Sequence, residues 1–318
     1  MNHNIAIIGA SGFLGKNLSD LLISSDINHS NYDIDFSKDS VSFADVEDIT
    51  SLDKLSNHNC IINLAAEHRD DVSPISRYDD VNIQGAKNIC NVAKKYNINK
   101  IIFTSSVAVY GFAPSNTNES GDIEYFNDYG RTKFLAELVY KEWLDEDPIN
   151  RTLVIIRPTV IFGEGNRGNV YNLLKQIADN RFLMFGNGKN VKSMAYVGNV
   201  SAFIQHSTDF SSGIHLYNYI DKDDLDMNSL VRISRKILFN KDNVGLRLPA
   251  FFGKLIGYFF DALAKILNRK LPISSIRVKK FLSNSQFDSA VKKTGFVAPF
   301  SIKEALIKTL KSEFLKNN

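Results

Sequence analysis

Asn4-Ile-Ala-Ile-Ile-Gly9-Ala-Ser-Gly12-Phe-Leu-Gly15 decides how the chain is read. An apolar run of strand length meets three glycines spaced Gly-x-x-Gly-x-x-Gly, and Leu18, Leu21 and Leu22 follow at helical spacing. Strand, glycine turn and helix in that order form the phosphate-binding start of a dinucleotide fold. Glycine lets the backbone approach a pyrophosphate, and the helix N-terminus offers it unpaired N–H groups and the positive end of a dipole. Gly9, Ser11, Gly12, Phe13, Leu14 and Gly15 are the expected pyrophosphate contacts.

Working outward, Tyr32-Asp33-Ile34-Asp35 falls about 20 residues beyond the glycines, where a carboxylate accepts hydrogen bonds from an adenosine ribose. Asp33 is the first choice and Asp35 the alternative. An acid there repels a 2′-phosphate, so NAD is expected rather than NADP. The stretch Val41 to Val46 brings Asp45 and Val46 toward the adenine edge. Cys60-Ile-Ile-Asn-Leu-Ala-Ala66 reads as a buried parallel strand whose small residues Ala65 and Ala66 leave room for a cofactor. Lys100 to Gly111 gives another strand with hydroxyls at its C-terminal end, the end at which open α/β sheets bind ligands. Thr152 to Arg157 is a further apolar strand, closed by Pro158.

This alternation from Asn4 to Pro158 predicts an α/β fold with a Rossmann-like, doubly wound parallel sheet. Beyond Phe162 the rhythm loosens into glycine and asparagine clusters. The expected division is a dinucleotide-binding domain over residues 1–165, with strands at about 192–220 returning to it at 194–200 and 214–219. Residues 166–191 and 221–318 form a smaller, mostly C-terminal substrate lobe. Ser301 and Glu304 make a capping box for a last helix.

In Tyr129-Gly-Arg-Thr-Lys133 a phenol and an ammonium stand four residues apart. If residues 128–143 are helical, both lie on one face, a turn apart. A tyrosine with an ordinary pKa of ~10 needs a nearby positive charge to act as a base, and Lys133 can supply one.

Taken in order, the glycine turn, ribose acid, strand-end serine and Tyr-x-x-x-Lys resemble the extended short-chain dehydrogenase/reductase family, in its nucleotide-sugar epimerase and dehydratase branch. The resemblance is dense from Asn4 to about Gly163 and thinner afterwards. It implies a catalytic triad of Ser106, Tyr129 and Lys133, the serine matching by its place in Thr104-Ser-Ser106-Val-Ala-Val-Tyr-Gly111. Leu64, Ala65, Ala66, Thr104 and Pro158 would line bound NAD, Asn82 would support the lysine, and Ser105 would meet the substrate. Asn169, Lys192 and Arg277 are the implied contacts for the nucleotide and its diphosphate; Lys192 stands where many relatives carry arginine. Members that eliminate water place an Asp-Glu pair after the serine or threonine, and here Val107 and Ala108 stand instead. The resemblance therefore implies reversible oxidation, with C4 epimerisation of a UDP-hexose or UDP-N-acetylhexosamine as the expected reaction. It also implies a homodimer paired through the helices near 83–95 and 129–143.

Two rival readings share these residues. A net dehydrogenase or ketoreductase on a sugar nucleotide, sterol-like alcohol or lipid-linked sugar would use the same triad, and a non-catalytic dinucleotide-binding regulator would keep only the fold. Composition bounds the choice. The chain has 318 residues, 44% hydrophobic and 23% charged, enough for a full core in an ordinary soluble protein. The N-terminus shows no basic leader, and a cytoplasmic location is expected. Cys60 and Cys90 lack metal-ligand or redox spacing, so no metal site is expected.

Residues 231–318 hold 18 Lys and Arg against 5 Asp and Glu, so the last part of the chain is strongly basic although the net charge is only +3. An anionic partner follows, but no nucleic-acid recognition motif is present. The apolar stretch 249–267 is interrupted by Lys254, Asp261 and Lys265, against the ~20 apolar residues a spanning helix needs. A buried lobe helix and an interfacial segment with peripheral membrane contact both fit it.

Overall fold

The computed structural model describes residues 4–37, 40–69, 72–267 and 275–315. Its centre is a seven-stranded sheet, parallel throughout, in which each β-α-β passage leaves a strand end facing the same edge. The strands are β1 (Ile5–Ile8), β2 (His29–Asp33), β3 (Val41–Phe43), β4 (Cys60–Asn63), β5 (Lys100–Thr104), β6 (Thr152–Pro158) and β7 (Gly213–Tyr219). Their order across the sheet is β7-β6-β5-β4-β1-β2-β3. Chain direction across the sheet reverses at β1, where Ile8 lies opposite both Tyr32 and Asn63, and the crevice of a doubly wound sheet opens at such a point.

Period-two alternation divides the strand residues between two cores. Ala6, Ile8, Ile61, Phe103 and Ile155 face α2 (Gly85–Lys95) and α3 (Asp128–Asp145), meeting Ile89, Ala136, Tyr140 and Trp143. Ile5, Ile7, Ile62, Ile102 and Val154 face α1 (Phe13–Ser24) and α5 (Val197–Ser207), meeting Leu18, Leu22, Val200 and Phe203. Burial on both faces is why these strands are nearly continuous apolar runs. A third core joins α4 (Asn169–Ala178), α6 (Met227–Phe239) and, after α7 (Ala250–Leu267) and α8 (Ser275–Leu282), α9 (Ile302–Phe314). The capping box is present: Ser301 Oγ accepts from Glu304 N at 3.3 Å, and Ser301 N donates to Glu304 Oε2 at 2.8 Å.

One expected return to the sheet takes another form. Gly213–Tyr219 adds to the edge beside β6, whereas Met194–Tyr196 pairs in parallel with Val160–Phe162 in a separate two-stranded ribbon. A three-residue apolar segment carries no information about which edge it will meet, and β7 already covers the β6 edge.

Close packing at the glycine turn sets the geometry of everything above it. Gly9 adopts φ +85°, and a Cβ there would stand 2.7 Å from Ala65 N. At Gly15 a Cβ would stand 2.2 Å from Gly9 O, so α1 can approach the turn only without one. Gly15→Ala is expected to cost about 1–3 kcal/mol in denaturant unfolding of the cofactor-free protein, as overpacking does; an unchanged midpoint would show that the turn has slack.

Candidate active site

The ends of β1, β2, β4, β5 and β6 and the start of α3 enclose a cleft of ≈ 450 Å³. Gly9, Gly12, Phe13, Leu14, Gly15, Asp33, Asp45, Val46, Leu64, Ala65, Ala66, Thr104, Ser105, Tyr129, Lys133 and Pro158 line it. Ser11, Ser106 and Asn82 are not among the lining residues. Ser11 donates its N–H to Asp33 Oδ2 at 2.9 Å, and Asp35 N donates to Asp33 Oδ1 at 3.0 Å, which aims the carboxylate of Asp33 at the end of β2. Asn82 donates to Thr132 Oγ1 at 2.9 Å and accepts from Glu67 N at 2.9 Å, so it ties the cleft wall to α3 one residue before Lys133.

Of the three expected contacts for the nucleotide and its diphosphate, Asn169 and Lys192 are not among the residues lining this cleft. Asn169 is the exposed first residue of α4, and the cleft is lined instead by Asn166 from the preceding loop. Lys192 belongs to a two-residue strand paired antiparallel with Leu225–Asp226. The side chain of Arg277 lies outside the described residues.

Helix α3 begins where Asn127 accepts from Gly130 N at 3.0 Å, which places Tyr129 in the first turn and Lys133 one turn on. The Tyr129 phenol shares a hydrogen bond with Ser106, whose Oγ also accepts from Ala108 N at 3.1 Å and starts the short 3₁₀ turn Val107–Tyr110. Burial pushes the Tyr129 phenol above its ordinary range, and the Ser106 hydrogen bond opposes that. Lys133 is buried with its ammonium 4.3 Å from the centre of the Phe103 ring. Burial pulls its pKa down to about 7, and the negative charge of Glu137, one turn further along α3, offsets part of that fall.

Lys133 is not among the groups that shift the Tyr129 phenol here. In the ligand-free protein both groups are pushed toward their neutral forms, and the interaction that lowers the phenol comes from Ser106.

Beneath this pair runs a polar chain that crosses the sheet. Ser105 Oγ donates to Glu137 Oε1 at 2.5 Å, and Arg157 clasps Glu137 through Nε at 2.8 Å and Nη2 at 2.5 Å. Arg157 Nη1 donates to Tyr110 OH at 2.6 Å, and Tyr110 OH donates to Asn218 Oδ1 at 2.8 Å. Glu137 and Arg157 are almost wholly buried. Sequence reading passed over Glu137, although an acid four residues after Lys133 on a face shared with Ala136 and Tyr140 was a usable signal. Glu67, His68 and Arg77 also line the cleft unforeseen; Arg77 is paired with Glu47 at 2.8 Å.

A family model described as the NAD dependent epimerase/dehydratase family matches residues 5–215, two-thirds of the chain and all of the strand-end wall. The chain belongs to that family. It is also similar over nearly its whole length to a curated member. N-acetyl-alpha-D-glucosaminyl-diphospho-ditrans,octacis-undecaprenol 4-epimerase of Escherichia coli O157:H7 is 48% identical over 321 residues, covering 99% of this chain and 96% of that protein. UDP-glucose 4-epimerase of Vibrio cholerae is 27% identical, covering 82% and 83% of the two chains. Among solved structures, UDP-N-acetylglucosamine 4-epimerase from Methanobrevibacter ruminantium M1, in complex with UDP-N-acetylmuramic acid, superposes with a TM-score of 0.76 at 21% identity, covering 98% of each chain.

This member of the NAD dependent epimerase/dehydratase family has a cleft that fits its cofactor. The space a Cβ would fill at Gly9 and Gly15 is taken by backbone, and Asp33 lines the cleft at the end of β2, where a carboxylate would accept from an adenosine ribose and repel a 2′-phosphate.

A pH signature follows from Lys133. Its pKa is about 7 folded against 10.5 for a free lysine, so between these values the unfolded chain binds the extra proton and stability rises with pH. From pH 7 to about 8.5 the cofactor-free protein should gain up to about 1.4 kcal/mol per pH unit relative to Lys133→Met, read from denaturant midpoints. Higher pH is excluded because the buried thiols Cys60 and Cys90, pushed up to about 12, reverse the slope. Parallel slopes in the two proteins would show that Lys133 remains charged.

Proposed function

We propose that the chain is an NAD-dependent 4-epimerase acting on an N-acetylhexosamine joined through diphosphate to a polyprenyl lipid. The observation that carries this is the 48% identity, across 99% of the chain, to an epimerase whose name specifies that substrate. The sequence alone put a UDP-hexose or UDP-N-acetylhexosamine first. That stays the second reading, supported by the UDP-sugar epimerases among the relatives and structural neighbours. All of these substrates carry a hexopyranose joined to a diphosphate, so one cleft chemistry serves any of them.

Ser106, Tyr129 and Lys133 are the proposed catalytic residues. Tyr129 would take the proton from the C4 hydroxyl as the C4 hydrogen leaves as hydride, and would return a proton to the same oxygen when hydride comes back to the opposite face of C4 in the turned sugar. Ser106, which interacts with the phenol, would also hydrogen-bond the reacting oxygen. Lys133, restrained by Glu137, adds positive charge beside the phenol when it is protonated. When bound, NAD supplies reversible hydride acceptance at C4, held by Gly9, Gly12, Gly15 and Asp33. Val107 and Ala108 place no acid beside the serine, which disfavours dehydration.

We further propose the division into a dinucleotide-binding domain over 1–165, joined by the β7 strand, and a lobe over 166–191 and 221–318. A homodimer paired through α2 and α3 is supported by Leu138, exposed on the outer face of α3. A cytoplasmic site of action fits the two free, buried cysteines.

Tyr129→Phe tests the roles. The variant should fold and retain NAD yet lose more than about 100-fold in turnover; activity within a few-fold of the parent would remove Tyr129 from the scheme. The substrate is settled by incubating the protein with N-acetylglucosaminyl-diphospho-polyprenol in detergent and, separately, with UDP-N-acetylglucosamine. Conversion of the lipid-linked sugar at the higher kcat/KM is expected.

A further inference from the structure

We infer that α7 and α8 form a docking surface for an anionic lipid bilayer, an inference that rests on the lipid-linked substrate reading and gives it a physical route. The residues of α7 are arranged inside out. Gly253 and Gly257 are buried against the protein, while Phe251, Leu255, Tyr258, Phe259 and Ile266 are each more than half exposed. Their spacing of four, three, one and seven residues puts them on one face. An 18-residue helix is about 27 Å long, and no helix among the described residues is long and apolar enough to cross a membrane. An apolar face of this length flanked by cations suits a helix lying in the plane of a membrane surface.

Charge selects the occupant. In sequence, the helices α7 and α8 hold five Lys and Arg against a single acid, Asp261. That acid is turned inward, accepting the Ser275 N–H at the start of α8 at 3.2 Å. A second copy of this chain would bring the same surplus against itself, whereas an anionic lipid surface complements it.

Position connects the surface to catalysis. Lys279 of α8 lies 5.6 Å above the Phe112 ring, and Phe112 packs against Phe126 at 5.0 Å. Phe112 and Phe126 are exposed and belong to the loop between Ser106 and Tyr129. The same loop is tied to the segment after α8 by Asn116 N donating to Gln286 O at 2.8 Å and Asp288 N donating to Thr117 O at 2.9 Å. A bilayer against α7 and α8 would thus lie beside the loop that carries the catalytic serine into α3. A diphosphate-linked sugar could reach the cleft while its lipid stayed in the membrane.

Flotation of the full-length, NAD-loaded protein with vesicles of phosphatidylethanolamine and one-quarter phosphatidylglycerol tests this. The wild type should float, less so in high salt or with phosphatidylcholine alone. Phe251→Ser/Leu255→Ser/Phe259→Ser should lose vesicle binding by about tenfold or more, while keeping its NAD and its elution volume. Failure of the wild type to float, or equal flotation of the triple variant, overturns the proposal. So does a shift of the variant from dimer to monomer with no vesicle binding by the wild type, which would make the face a contact between copies. Turnover in detergent separates the two readings. Lipid-linked substrate converted without flotation sinks the docking surface alone, and flotation with activity only on UDP-sugar sinks the substrate reading alone.

Discussion

The buried ion pair between Glu137 and Arg157 is the constraint on which the site depends. Two charges have been taken almost wholly out of water, and only a full set of hydrogen bonds makes that tolerable. Each partner has them: Glu137 accepts from Ser105 and twice from Arg157, and Arg157 also donates to Tyr110. Removing one member leaves an uncompensated buried charge, a loss of about 3–5 kcal/mol in comparable cases. What the pair secures is position. It joins the end of β5, the middle of α3 and the end of β6, so the strand that carries Ser105 and the helix that carries Tyr129 and Lys133 are held at one separation.

That same carboxylate also acts on Lys133 one turn earlier in α3. Lys133 is buried against Phe103, a setting that favours a neutral amine, and Glu137 is the charge that works against this. Tyr129 is likewise pushed toward its neutral form by burial. Burial thus opposes charge on both groups, and positive charge added in the cleft favours the phenolate. The polar chain continues through Tyr110 to Asn218 at the edge strand, and Asn218 Nδ2 donates to Asp288 O at 3.0 Å. The chemistry end of the sheet and the segment following α8 are in this way parts of one hydrogen-bonded unit.

Much of this was legible in the sequence, for reasons that can be stated residue by residue. Ile5 to Ile8, the three glycines and Asp33 are local signals: a strand-length apolar run, a turn only glycine can make, and a carboxylate one β-α-β passage on. The helix assumed over 128–143 to place Tyr129 and Lys133 on one face is α3, Asp128–Asp145. Glu137 is easily passed over because an acid on a helix ordinarily reads as solvated; its place four residues after Lys133 on an apolar face was the available signal, while its partner Arg157, from the next strand, was not foreseeable. Nor could Met194 to Tyr196 announce Val160–Phe162 as its neighbour, since strand pairing is a long-range choice. Asn169 and Lys192 rested on resemblance where it was thinnest, and neither stands in the cleft wall. The stretch 249–267 showed its apolarity but not its direction; folded, it presents most of its large apolar side chains outward.

The account unites a cleft built for a dinucleotide, a serine–tyrosine–lysine set without a dehydrating acid, and an outward-facing apolar helix beside the catalytic loop. Its central claim is that the sugar is oxidised and reduced at one carbon within one binding event. The most direct test follows deuterium placed at C4 of the N-acetylglucosaminyl-diphospho-polyprenol. Recovery of the label at C4 of the inverted product, with none lost to water, is the expected result; washout of the label into solvent would contradict the account.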